Sequence, residues 1–374
     1  MKKAAIAVLF LAGAVVAAGE NGKMGGFGNF ISDVQAEDEL SESDKEQKEI
    51  IEETDTTEED RVAAIDTSIT LGAGSRIAVV SKATDGEYWK LVHQGMEDAV
   101  KDINKAYEFS SDDEISMTFE GPSDEQDIET QVNTLDAVIA ENPDVLCVSA
   151  SDMDSLQAQL EAAKENGIPV VAFDSGVTDS KMVRAFRGTD NTRVGEIAAY
   201  RLATAIGKMG KVAVFSAQEK TQSIQERVSG FTNYITNYPD IEVVEIVYQD
   251  QVDDMTAAMQ EVLDKYPQLD GVFCDNADIA DLYLDMKKDE TKDSIVMVGV
   301  DATAKQQEAI RNGKEVGVVS QQPYAMGYQT IWTALLTTAP KKSVEIKRNV
   351  RIDPAWIDSS NIDDPTYSSY LYAN

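Results

Sequence analysis

Short apolar runs alternate with helical-period stretches from Arg76 almost to the end of the chain. Ile77-Ala78-Val79-Val80 has the unbroken apolar character of a strand buried on both faces. Ser81–Gly86 is a polar loop. After it, Trp89, Val92, Met96 and Val100 fall three or four apart and share one helical face. The same unit then repeats. Strands are expected at 115–120, 144–149, 168–173 and 183–186, with helices at 124–141 and 155–166 between them. A second series has helices at 191–206, 224–238, 255–266, 277–287, 305–312 and 326–337. Its strands are at 211–216, 241–248, 271–274, 294–300 and 316–320. Strict βα alternation predicts parallel sheets covered by helices, and so many strands fit two sheets better than one. The expected fold class is therefore α/β, with two doubly wound lobes.

The residues before Arg76 follow a different pattern. Met1-Lys2-Lys3 and the apolar run Ala4–Ala18 read as a signal peptide or an N-terminal anchor over 1–36. The run is short of the roughly 20 residues of a spanning helix. Glu37–Asp66 is rich in Asp, Glu, Ser and Thr, so a disordered acidic linker is expected over 37–74. An exported, periplasmic or cell-surface location follows, with membrane contact only through the N-terminus.

Charge and rare residues remove several function classes. The net charge of −34, from 33 basic and 67 acidic residues, repels nucleic-acid phosphate. Cys147 and Cys274 each lie in an apolar run and read as inert core thiols rather than a disulfide or metal pair. His93 is the single histidine, so neither a Ser-His-Asp arrangement nor a histidine metal site is expected. Gly207-Lys208-Met209-Gly210-Lys211 lacks the phosphate-loop spacing. The run Asp275, Asp278, Asp281, Asp285 lacks the glycine and spacing of a calcium loop, and reads as an acidic helix start. No enzymatic activity, cofactor or metal is expected.

What recurs is a polar residue at the end of one strand after another: Ser81, Asp174, Asn276 and Asp301. Singly, such residues are helix caps. Several carboxylates and amides converging on one crevice beside aromatic rings have the composition of a neutral polyol site, because carboxylates accept hydroxyl hydrogen bonds and rings cover C–H faces.

With these residues in order, the chain resembles the periplasmic sugar-binding proteins of the ribose/galactose type. These serve ABC importers and share their fold with the ligand domains of lactose-repressor-like regulators. The resemblance covers roughly Ser75 to Ile357. It rests on Ser81 with Tyr88-Trp89, on Ile168–Asp174, on Thr189-Asp190-Asn191 and on Arg227-Val228-Ser229-Gly230-Phe231. Phe273-Cys274-Asp275-Asn276, Val298-Gly299-Val300-Asp301 and Ser320-Gln321-Gln322-Pro323 complete the set. It implies a first lobe of 75–187 plus 322–342 and a second of 188–321 plus 343–374, joined by a multi-strand hinge in the periplasmic binding protein-like I fold. It further implies a ligand site of Ser81, Asp85, Tyr88, Trp89, Asp174, Ser175, Arg227, Gln251, Asn276, Asp301 and Gln321.

Three positions depart from the ribose pattern. Gln251 stands where an aromatic is usual, Ser175 where an arginine is usual, and Gly86 where an asparagine is usual. A hexose, another pentose, a polyol or an autoinducer-2-like furanose all remain open as ligand. The implied partner is an ABC permease. The alternative is a membrane-anchored sensor that signals to a histidine kinase or chemoreceptor. A monomer is expected.

Overall fold

A computed structural model of the protein describes residues 64–288, 294–340 and 344–373. The expected N-terminal signal or anchor, and the acidic linker up to residue 63, lie outside the described residues. Among the described residues no helix is long and apolar enough to cross a membrane.

The first sheet contains β1 (Arg76–Val80), β2 (Ser116–Glu120), β3 (Val145–Val148), β4 (Val170–Phe173) and β5 (Ala185–Thr189). The second contains β6 (Gly210–Ser216), β7 (Ile241–Tyr248), β8 (Gly271–Cys274), β9 (Val296–Val300) and β10 (Gly317–Ser320). Two late strands, β11 (Asn349–Ile352) and β12 (Ala355–Asp358), complete them. The orders are β11-β5-β4-β3-β1-β2 and β12-β10-β9-β8-β6-β7, so the two sheets are copies of one topology. All pairings are parallel except β10 with β12. In each sheet the order reverses beside its first strand. The loops there diverge and open a crevice at the carboxyl ends of the strands.

The helices are α1 (Glu87–Ala106), α2 (Ile128–Ala140), α3 (Gln157–Glu165), α4 (Asn191–Ala205) and α5 (Gln222–Ile235). They continue with α6 (Met255–Lys265), α7 (Ala277–Met286), α8 (Ala304–Arg311) and α9 (Pro323–Leu336). Several start on a short polar side chain that accepts from the first free amides. Asp190 caps α4, Asp254 caps α6, Asn276 caps α7, and Thr303 with Gln306 forms a capping box on α8. Close helix pairing depends on glycines. A Cβ on Gly95 of α1 would stand 2.1 Å from the Tyr324 carbonyl of α9, and one on Gly195 of α4 would stand 2.1 Å from the Arg227 carbonyl of α5. The same device thus serves both lobes.

Apolar side chains cover both faces of each sheet. Met96, Val79, Val145 and Phe173 pack on one face of the first sheet, and Leu135, Val80, Leu146 and Leu160 on the other. Phe215, Phe231, Val272, Phe273 and Met297 fill the second lobe. Cys147 and Cys274 are free and fully buried on corresponding strands, and burial pushes both thiols up.

Two expectations need correction. Residues 64–74 are not part of a free linker. Ile65 and Leu71 are buried on the first lobe, and the Tyr107 hydroxyl donates to the Asp66 and Ile69 carbonyls. Residues 349–352 were expected in the second lobe, but β11 pairs with β5 of the first sheet, Asn349 opposite Phe186. The last crossing between sheets therefore falls between Ile352 and Ala355. The tail packs on the second lobe: its Pro365–Tyr370 turn sets Tyr370 against Ile310, Val318 and Ile357.

Candidate functional site

Between the carboxyl ends of the two sheets lies a cleft of about 730 Å³. Its first wall is built from the loop after β1, the first turn of α1, the loop after β2, and Asp174 after β4. Its second wall comes from α5, the starts of α7 and α8, and the residues after β9 and β10.

The first wall is centred on a buried ion cluster. Asp174 has a left-handed backbone (φ +56°) that turns its carboxylate back over the strand ends. The carboxylate accepts from Tyr88 Oη at 2.7 Å and Ser149 Oγ at 2.9 Å, and pairs with Lys82 Nζ at 3.0 Å. Lys82 also pairs with Glu125 at 3.3 Å, and Glu125 accepts from Trp89 Nε1 at 2.8 Å. Burial is the largest influence on both Lys82 and Asp174 and works to neutralise them. It is outweighed by the other groups together: Asp174 and Glu125 for the ammonium, and Lys82, the Tyr88 hydrogen bond and Arg227 for the carboxyl. The ammonium is held above its ordinary pKa, and the carboxyl below. Tyr88 and Trp89 meet edge to face, with ring centroids 5.2 Å apart. Gly86 enters α1 at φ +93°, a backbone that suits glycine, and no side chain caps the helix.

Neutral donors dominate the second wall. Asp301 occupies the place after β9 that Asp174 occupies after β4, again left-handed (φ +81°). Its Oδ1 accepts from Gln321 Nε2 at 2.7 Å and Tyr372 Oη at 2.8 Å, and its Oδ2 accepts from the Ala277 amide at 2.9 Å. Arg227 commits Nε to Asn191 Oδ1 at 2.8 Å and Nη1 to the Asp275 carbonyl at 2.7 Å, which fixes the guanidinium plane on the wall. The buried Asp275 carboxyl accepts from Ser216 Oγ and the Ala217 amide. Burial still pushes it up to about 6. Asp278 opens onto the cleft. Enclosure by the walls, then repulsion from Glu125, Asp301, Asp281 and Asp124, pushes it up to about 7.

Contacts join the two lobes around this cleft. Ser175 Oγ donates to Ser223 Oγ at 2.8 Å, and the Gly176 amide donates to Gln222 Oε1 at 2.7 Å. The Ala304 amide donates to Glu87 Oε2 at 2.9 Å, and Arg351 grips Glu226 through two bonds of 2.8 and 2.9 Å. The structure is thus a closed arrangement.

Of the expected site residues, Asp85, Tyr88, Trp89, Asp174, Arg227, Asn276, Asp301 and Gln321 line the cleft. Three do not. Ser81 is buried, its hydroxyl spent on the Ala83 carbonyl. Ser175 is buried at the junction between the lobes. Gln251 points away and bonds Glu219, while Gln249, two residues earlier in the same 3₁₀ turn, reaches the cleft. Lys82, Glu125 and Asp278 were not anticipated. The only signal for Lys82 was a lone cation in a loop otherwise polar or acidic. Among the described residues, no group of three or more His, Cys, Asp or Glu is arranged to hold a metal ion.

Residues 77–339 match the family model described as periplasmic binding protein domain. The ribose import binding protein of Bacillus subtilis is 27% identical over 203 residues, covering 54% of this chain and 66% of that protein. Its Escherichia coli counterpart is 25% identical over 191 residues, covering 51% and 64%. This chain thus aligns with just under two thirds of the length of these relatives. Among solved structures, an ABC transporter solute binding protein from Agrobacterium vitis with bound D-fucose has a TM-score of 0.72 and 28% identity, covering 80% of this chain and all of that one (100%). A carbohydrate transporter solute binding protein from Agrobacterium radiobacter in complex with D-arabinose gives 0.72 and 28%, covering 80% and 99%. The two copied α/β sheets have the type I periplasmic-binding topology that these neighbours share. The chain belongs to the periplasmic binding protein family.

Proposed function

We propose that this protein is an exported, non-enzymatic solute receptor that closes its lobes on a monosaccharide-sized, hydroxyl-rich ligand and presents the closed form to an ABC importer in the membrane. The observation that carries the reading is the pair Asp174 and Asp301, corresponding carboxylates on opposite walls of one cleft, flanked by Tyr88 and Arg227. Ligand hydroxyls donate to such carboxylates, Arg227 donates to ring or hydroxyl oxygens, and the Tyr88 ring covers a C–H face. A ligand bonded to both walls favours the closed form by its differential affinity for it. The bound D-fucose and D-arabinose of the structural neighbours, and the ribose named for the sequence relatives, support a sugar as ligand class.

Thermal unfolding of the full chain against D-ribose, D-arabinose, D-fucose and xylitol tests this. A ligand at a hundredfold excess over its Kd adds about 2.7 kcal/mol of stability. One compound is expected to raise the midpoint, and Asp301→Ala to abolish the rise. A flat response to the whole panel would reject a sugar or polyol ligand.

A further inference from the structure

The C-terminal tail lies beyond the stretch matched to the family, yet it brings Tyr372 to a buried place behind the second wall. It is fastened at several points. Ser320 Oγ donates to the Tyr370 carbonyl at 2.5 Å, and Gln322 Nε2 donates to Tyr370 Oη at 2.8 Å. The Tyr372 amide donates to the Ala302 carbonyl at 3.1 Å, and Gln307 Nε2 to the Ala373 carbonyl at 3.1 Å. These bonds hold Tyr372 behind Asp301, where its hydroxyl donates to Oδ1 and accepts from the Gln321 amide at 3.3 Å. Its ring centroid lies 6.0 Å from that of Tyr88, whose own hydroxyl donates to Asp174. Each of the two corresponding carboxylates therefore receives one phenol. One phenol comes from the first helix; the other is delivered by the tail.

We infer that Tyr372 is a positioning residue for ligand binding, acting through Asp301; the inference rests on the solute-receptor reading above. An ionised carboxylate offers about four acceptor sites. Tyr372, Gln321 and the Ala277 amide fill three of them from behind and from the side. That leaves the carboxylate plane fixed and one acceptor direction for a ligand hydroxyl. Without the phenol, Oδ1 regains a free lone pair and the carboxylate gains torsional freedom, both of which must be given up on binding. Ring packing against Tyr88 does not depend on the hydroxyl, so Phe at 372 isolates the effect.

The test is calorimetric titration and stopped-flow release with D-ribose, D-arabinose and D-fucose on the full chain, Tyr372→Phe, Asp301→Asn and the double variant. Tyr367→Phe serves as a tail control away from the cleft. Tyr372→Phe is expected to weaken binding about tenfold, through faster release, with little change in association rate and a small drop in melting midpoint. In the Asp301→Asn background the same change is expected to have no further effect, and Tyr367→Phe none at all. Unchanged affinity in Tyr372→Phe, or an effect that adds fully to Asp301→Asn, would overturn the inference and leave the sugar site standing. Absence of binding by the wild-type chain to every sugar would overturn the receptor reading and this inference with it.

Discussion

Asp174 and Asp301 sit at the same place in two copies of one sheet, share a left-handed backbone, and each accept a tyrosine hydroxyl. They differ in what balances their charge. Asp174 is answered by a buried ammonium, and Asp301 by an amide, a phenol and a backbone N–H. A buried carboxylate with a full counter-charge is a structural element, because losing the partner strands a charge away from water. A carboxylate satisfied by neutral donors keeps its charge available to whatever enters the cleft. The duplicated fold has thus balanced the same carboxylate in two ways, with an ammonium on one wall and neutral donors on the other.

Removing the counter-charge is the strongest way to break this contrast. Lys82→Met leaves Asp174 and Glu125 unbalanced, and is expected to lower the stability measured by urea unfolding by about 3 kcal/mol or more. The matching change on the other wall, Gln321→Ala, removes one neutral donor and is expected to lower it by about 1 kcal/mol. Equal losses would erase the distinction.

Acidity sharpens the contrast further. Asp174 is held below its ordinary value of 3.8, so its contribution is present above about pH 4 and lost as pH falls through the lower folded value. Lys82 is held above 10.5, so its contribution is present below that value and lost as pH rises through the higher one. The first wall is therefore expected to be flat between about pH 4 and 10. On the second wall, Asp278 is pushed up to about 7, so the folded state holds a proton that the unfolded chain releases near 4. Stability is then expected to fall as pH rises between those values. Asp278→Asn should reduce that slope, as read from melting midpoints across the range, whereas an unchanged slope would remove Asp278 as its source.

The smallest expected effect concerns closure. Glu87 reaches across the cleft to the first amide of α8. Glu87→Ala should weaken binding of a ligand held by both lobes about twofold, because the closed form loses one charge–dipole bond at a solvent-accessible helix start. A stronger loss would mean that Glu87 also touches the ligand.

The alternation of apolar runs and helical periods was enough to anticipate ten strands and all nine described helices to within a few residues. The polar residues that follow the strands explain part of this: Asn276 and Asp301 punctuate the chain and line the cleft at once. Asn349–Ile352 and Ala355–Asp358 escaped notice because NVRI and AWID are short and carry Arg or Asp among their apolar residues. Ser81 and Ser175 were misplaced for a related reason. A polar residue at a strand end can turn toward the cleft or satisfy the backbone behind it, and the sequence does not distinguish the two. Lys82 could not be assigned a partner, since Glu125 and Asp174 are 43 and 92 positions away and meet it only once four strands are aligned. Tyr372 is likewise 71 positions from Asp301 and meets it only once the tail has packed on the second lobe.

The late placement of β11 also bears on how the chain acquires its shape. The first sheet begins at Arg76, but its edge is closed only by Asn349–Ile352, after the whole second series has been strung between them. Helix α9, which packs against α1 through Gly95 and Gly327, is equally late. A chain emerging from its N-terminus therefore holds neither lobe in finished form until nearly all of it is available. Such long-range closure makes for slow, concerted folding. The growing polypeptide therefore spends nearly all of its synthesis without a completed lobe.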